Sequence, residues 1–177
     1  DRAVAGLPLH TNFKLSSDGE YLALVRPDLT VAYAYDPYPE QKPDKITPYP
    51  WCVAAAGENV SVVDCLLLNP FQGLDLGSKP SGRHYVRNLY GQPLRRGISV
   101  DKCFDVGRVE NVHFWPFWKD NKKLEAYQNK NATAFRIGRS DWEYMSNCFS
   151  IWYGIGYHFV ANKDGPGNAV LVNCGAD

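Results

Sequence analysis

Between residues 101 and 118 the chain concentrates groups that could act on a sugar. Asp101, Asp105, Arg108, Glu110 and His113 run directly into Trp115-Pro116-Phe117-Trp118. Hydrolysis of a glycosidic bond needs two carboxyl groups, about 5 to 5.5 Å apart for retention or roughly 6.5 to 9.5 Å for inversion. On one continuous strand Asp101 and Asp105 would lie about 13 Å apart at about 3.3 Å per residue. They can cooperate only across a turn at Cys103-Phe104 or Gly107. A better pair is Glu110 with a carboxylate on a neighbouring strand about 4.8 Å away. His113 would then shuttle a proton or hold a sugar hydroxyl. Trp115, Phe117 and Trp118 offer faces on which sugar rings stack, with Arg108 beside them. Asp141-Trp142-Glu143 adds two carboxylates and an aromatic that would complete the same groove.

Each of these residues also has a structural reading. Asp101 and Asp105 can accept turn amides, and Arg108 can be their ion-pair partner. Glu110-Asn111-Val112-His113-Phe114 echoes Glu58-Asn59-Val60-Ser61-Val62, which gives Glu110 the role of Glu58 and His113 the slot of Ser61. The aromatics can pack a surface loop onto the body of the protein. Arg83-His84 and Arg95-Arg96 could receive a uronate carboxylate, or stand as solvated charge.

The elements that must position these groups are strands and turns. Apolar residues come in short runs broken by Gly, Asn, Asp or Pro, and eleven Tyr and five Trp accompany a single Met. That composition favours all-β structure. Only the polar stretch from Asp120 to Lys130 suits a helix, and it suits a surface loop equally well.

Internal repetition refines this. Val62-Val63-Asp64-Cys65, Val100-Asp101-Lys102-Cys103, Met145-Ser146-Asn147-Cys148 and Val172-Asn173-Cys174 all end a strand in a polar residue and a Cys. Gly73-Leu74-Asp75-Leu76, Gly97-Ile98-Ser99-Val100 and Gly156-Tyr157-His158-Phe159 form a second set. The period near 25 residues predicts a right-handed parallel β-helix, in which buried amides ladder at turns and Cys fills an inward column. With strand and turn running to Asp177, the solenoid is expected to be incomplete in this chain and to continue beyond it.

Charge and cysteine usage set limits. Nineteen basic residues balance nineteen acidic ones, so no basic field suits nucleic acid. No apolar run approaches the roughly 20 residues that span a bilayer. The five cysteines include no C-x-x-C pair, which argues against a structural metal and for buried free thiols. No cofactor is expected, and the partner implied is a polysaccharide or oligosaccharide.

Two stretches resemble known families. From residue 38 onward, "YPEQKPDKITPYPW" (38–51), "ENVSVVDCLLLNPFQGLDLG" (58–77) and "GISVDKCFDVGRVENVHFWPFW" (97–118) resemble the pectate-lyase-like superfamily of right-handed β-helices. That resemblance implies a secreted polysaccharide hydrolase, lyase or epimerase. It carries neither the catalytic motifs of polygalacturonases nor the calcium-binding acidic cluster of pectate lyases. Residues 7–41, with "HTNFKLSSDGEYLALV" at 10–25, resemble part of the lamin-tail modules of bacterial surface proteins. This implies a separate β-segment over residues 1–37, with a hairpin turning at Asp18-Gly19, ahead of the solenoid over 38–177. Hydrolysis by paired carboxylates is the leading expectation. The alternatives are a polysaccharide lyase and a non-catalytic glycan-binding or adhesion solenoid.

Overall fold

A computed structural model gives the structure of the protein and describes residues 22–25, 31–35 and 40–177. The chain divides into two units, residues 1–40 and 41–177. In the first, β1 (Leu22–Val25) pairs antiparallel with β2 (Val31–Tyr35), Leu22 opposite Tyr35. The expected turn at Asp18-Gly19 lies outside the described residues. The partner that is described for Leu22–Val25 follows it in sequence.

The second unit is a parallel β-helix. One sheet stacks β3 (Trp51–Ala54), β5 (Gln72–Leu76), β7 (Arg96–Val100), β9 (Thr133–Ile137) and β12 (Ile155–Phe159). The other stacks β4 (Ser61–Leu67), β6 (Tyr85–Gly91), β8 (Cys103–Phe114), β10 (Ser140–Ser146) and β13 (Gly167–Val172), with β11 (Phe149–Ser150) and β14 (Gly175–Ala176) continuing β10 and β13. All these pairings are parallel. Parallel neighbours of this kind need a crossover connection rather than a tight hairpin, and here each crossover is one turn of the coil. One coil step is 24 residues from Asn59 to Arg83 and 23 from Asn88 to Asn111. The longest step, from Ile98 to Phe135, contains the one helix of the described residues, α1 (Lys122–Asn131). Asn121 caps it by accepting from the Lys123 and Leu124 amides, and buried Leu124 and Gln128 fasten it to the wall. No helix among the described residues is long and apolar enough to cross a membrane.

The second sheet bends midway because one residue per coil adopts left-handed backbone: Asp64 (φ 57°), Asn88 (52°), Asn111 (50°), Asn147 (53°) and Asn173 (53°). Asn and Asp tolerate this region better than other residues with a side chain. Their side chains join successive coils: Asn88 Nδ2 donates to Asp64 Oδ1 at 2.6 Å, Asn111 to Asn88 at 2.8 Å and Asn173 to Asn147 at 3.4 Å. The bend turns the next residue inward, which stacks Cys65, Leu89, Val112, Cys148 and Cys174 in one column.

This is why a polar residue followed by Cys recurs, with one exception. Cys103 opens β8 opposite Ser140 and lies outside the column. All five thiols are free, Cys103 and Cys148 buried. The glycine units are in true register, Gly73 below Gly97 and Gly156 one step beyond Ala134. The Glu58 and Glu110 units are not. Val62 pairs through Val86 to Val109, so His113 belongs with Leu66 and Tyr90 rather than with Ser61. The Phe114, Phe135 and Tyr157 rings stack inside at centroid distances of 5.2 and 4.9 Å.

Asp101 ties neighbouring turns together. Its Oδ1 accepts the Lys102 and Arg139 amides (both 2.9 Å) and Asn162 Nδ2 (2.8 Å), and its Oδ2 pairs with Arg136 at 3.2 Å. Burial acts to raise its pKa, but these donors prevail and hold the carboxyl below its usual range. Two outcomes are expected. Asn111→Gly should cost about 1 kcal/mol, the loss of a ladder bond, whereas Asn111→Val should cost about 1–2 kcal/mol more for a branched residue forced left-handed; urea unfolding measures both. Asp101→Asn should cost about 2 kcal/mol at neutral pH. A depressed folded pKa stabilises fully above the ordinary value of about 3.9 and ceases to do so as pH falls through the lower folded value. The gap between the wild-type and D101N midpoints should therefore stay level above about pH 5 and close in acid.

Candidate functional site

The outer face of the second sheet carries the most developed surface. Beyond the Asn bend, Leu66, Tyr90, His113 and Phe149 stand outward on successive rungs, because alternation returns the residue after the inward Cys column to the surface. Trp115 and Phe117 fold back over them from the end of β8. The His113 ring meets Phe149, Trp115 and Phe117 edge-on at 5.5, 5.6 and 5.8 Å, and Tyr90 meets Phe117 at 6.3 Å. Trp115 and Phe117 remain 42 and 43% exposed. Asn111 Nδ2 donates to Tyr90 Oη at 2.8 Å, joining the aromatic wall to the amide ladder. Beside it a shallow depression of about 420 Å³ is lined by Asp64, Cys65, Leu66, Asn88, Tyr90 and Asn111.

On the other side of the ladder, Arg87, Glu110 and Ser146 form the next outward column. Tyr85 Oη donates to Glu110 Oε2 at 2.8 Å, and the Arg87 guanidinium sits 5.9 Å from the Tyr85 ring centroid. The expected carboxylate on the rung next to Glu110 is therefore not there: its rung neighbours are Arg87 and Ser146. Another acid of this face, Asp64, lies two rungs away and one column across, about 10 Å at about 4.8 Å per rung. That is the far edge of an inverting separation of roughly 6.5–9.5 Å.

The remaining sequence candidates are dispersed. Asp101 is absorbed in the turn bracket. Asp105 pairs with Arg83 at 2.7 Å and accepts the Val106 amide, and Arg83 also holds Glu58 at 2.9 Å; Arg83 keeps the Asp105 carboxyl below its usual range. Arg108 stands outward between Tyr85 and Tyr144 on neighbouring rungs. His113 Nε2 is enclosed and has no hydrogen-bond partner among the described residues, an arrangement for packing rather than proton shuttling. Trp118 is half-buried, its amide donating to Gln92 Oε1 and its ring 5.2 Å from Lys119 Nζ, so it anchors the 115–120 segment.

Asp141 is engaged by Arg139, and Trp142 packs edge-on to Tyr144 at 6.3 Å. Glu143 turns inward and is fully buried, so the 141–143 run does not add two carboxylates to the groove. A second pocket of about 450 Å³, on the first sheet beside the end of α1, is lined by Arg95, Arg96, Lys130, Arg136 and His158 among others. Burial, with Arg95 and Arg136 close by, lowers the Arg96 pKa.

Sequence reasoning passed over one cluster. His84, Cys103 and Glu143, on or beside three successive strands of the second sheet, are buried with their ligand-type atoms within 4.8 Å of one another. His84 Nε2 lies 2.9 Å from Glu143 Oε1 and Nδ1 lies 2.7 Å from the Ser81 carbonyl. Burial alone would lower the His84 pKa, but the Cys103 thiol, the Glu143 carboxylate and the Ser81 carbonyl outweigh it and push it up to about 10. No run of residues announces this cluster; only the spacing of whole coils brings it together. Among the described residues, these three are the ones that could hold a metal ion.

No protein-family model matches this chain, and no curated protein or solved structure matches it either. The reading of the surface rests on its own chemistry.

Proposed function

We propose that the second unit is a glycan-binding β-helix, and that sugar rings lie against Trp115 and Phe117 on the outer face of the second sheet. The observation that carries this reading is the exposure of these two rings, 42 and 43%, although His113 and Tyr90 hold both in fixed orientation. Large aromatic faces left open on a rigid wall mark a binding surface, and prior ordering lowers the entropic cost of binding. The side-chain amides of Asn88 and Asn111, with Tyr85, Arg87 and Glu110, supply hydrogen-bonding groups alongside. Recognition is favoured over cleavage because Glu110 stands between Arg87 and Ser146 and is held by Tyr85, while Asp101, Asp105 and Asp141 are committed to turns and arginines.

Affinity electrophoresis of the full chain against neutral and uronate-bearing plant and algal polysaccharides tests the reading. At least one polysaccharide should retard the protein. The W115A/F117A double variant should bind it about tenfold or more weakly, a loss of about 1.4 kcal/mol or more. Retardation by no polysaccharide, or undiminished binding by the double variant, would sink the proposal. Release of reducing sugar by the wild type that disappears in Glu110→Gln would replace recognition by hydrolysis.

A further inference from the structure

We propose that His84, Cys103 and Glu143 form a structural transition-metal site of the Zn²⁺ type that clamps three successive coils. His84 immediately precedes β6, Cys103 opens β8 and Glu143 lies within β10. All three are fully buried, so the site is independent of the glycan surface.

Four observations converge on it. First, the tautomer is fixed by geometry. A carbonyl oxygen only accepts, so the 2.7 Å contact with Ser81 places a proton on His84 Nδ1 and leaves Nε2 as the atom facing Glu143. An imidazole that donates its far N–H to a backbone carbonyl is the usual support of a metal-bound histidine. Second, the donor set is selective. Thiolate, imidazole and carboxylate together suit Zn²⁺, whereas Mg²⁺ and Ca²⁺ take oxygen ligands.

Third, the spacing fits. Ligand atoms within 4.8 Å of one another need close up by only about 1 Å to meet one ion at about 2.0–2.3 Å. Fourth, the cluster sits over Gly107, the rung neighbour of Glu143. A Cβ at Gly107 would overlap both Glu143 Oε2 and His84 Nε2, so the glycine leaves room where the ligand atoms meet. Ser140 Oγ, buried and 3.5 Å from Glu143 Oε2, is a further oxygen at its edge.

Charge favours the same conclusion. A buried carboxylate beside a thiolate and a neutral imidazole carries two negative charges, which one divalent cation cancels. Without metal, protons must do this work: one on Nε2 of the imidazole and one on the thiol, both displaced when the ion enters. Full burial shuts substrate out, and Ser140 Oγ as the fourth donor would close the site, as structural rather than catalytic centres are closed.

The test uses the full chain, stripped with chelator and dialysed, then titrated with ZnCl2 or CoCl2. One equivalent of zinc should be retained through gel filtration, and the thermal midpoint should rise by about 5 °C or more. Co²⁺ should give a near-ultraviolet thiolate charge-transfer band together with visible bands of tetrahedral intensity. In Cys103→Ser the charge-transfer band should vanish, while Cys65→Ser, a control distant from the site, should keep it. The wild-type measurements stand even if Cys103→Ser fails to fold. A folded wild type that retains no zinc and shows no cobalt–thiolate band overturns the proposal, as does a band that survives in Cys103→Ser.

Discussion

The inner strands of the solenoid, β5 to β10, find their backbone partners in the coil above and the coil below, and this in-register stacking governs what the second unit presents. Parallel rungs about 4.8 Å apart leave a side chain no neighbour along the axis except its own equivalents. Each column must therefore be compatible with itself. Apolar columns close the core, where Phe114, Phe135 and Tyr157 lie face to face. In the polar column at the bend, Asp64, Asn88 and Asn111 are joined to one another by side-chain hydrogen bonds.

The candidate surface is a by-product of that arrangement. The left-handed residues bend the second sheet and send the next side chain inward, and the one after it outward again. Tyr90, His113 and Phe149 are thereby set on consecutive rungs, and the segment after β8 closes onto them with Trp115 and Phe117. The same rule works against chemistry at Glu110: stacking assigns its neighbours, and those are Arg87 and Ser146. The acids nearest the turns are consumed in holding coils together, Asp101 through Arg136 and Asn162, Asp105 through Arg83.

Much of the fold was legible in the sequence because stacking writes itself as repetition. Gly73, Gly97 and Gly156 truly share a column, and so do Cys65, Cys148 and Cys174. Resemblance between short runs misled where it ignored the bend. Glu58-Asn59 and Glu110-Asn111 look alike, yet each Asn is left-handed at a different corner of its coil. Cys103 carries the same local signature as the other cysteines but follows a different left-handed residue, Lys102. Trp115 and Phe117 were legible as exposed aromatics. The His84, Cys103 and Glu143 cluster was not, because its members are separated by one ordinary coil and one enlarged by α1, and no fixed spacing marks them.

The enlarged coil has a meaning of its own. The segment between Phe114 and Thr133 leaves and re-enters the wall at a single corner, and the rungs on either side remain in register: Phe114 opposite Gly91, Thr133 opposite Arg96. Lengthening a closed loop costs little, about 0.6 kcal/mol for each doubling. That corner is thus a port at which new sequence can enter without renegotiating the core. A lineage, or an engineer, could exchange what is displayed there while the scaffold beneath keeps time.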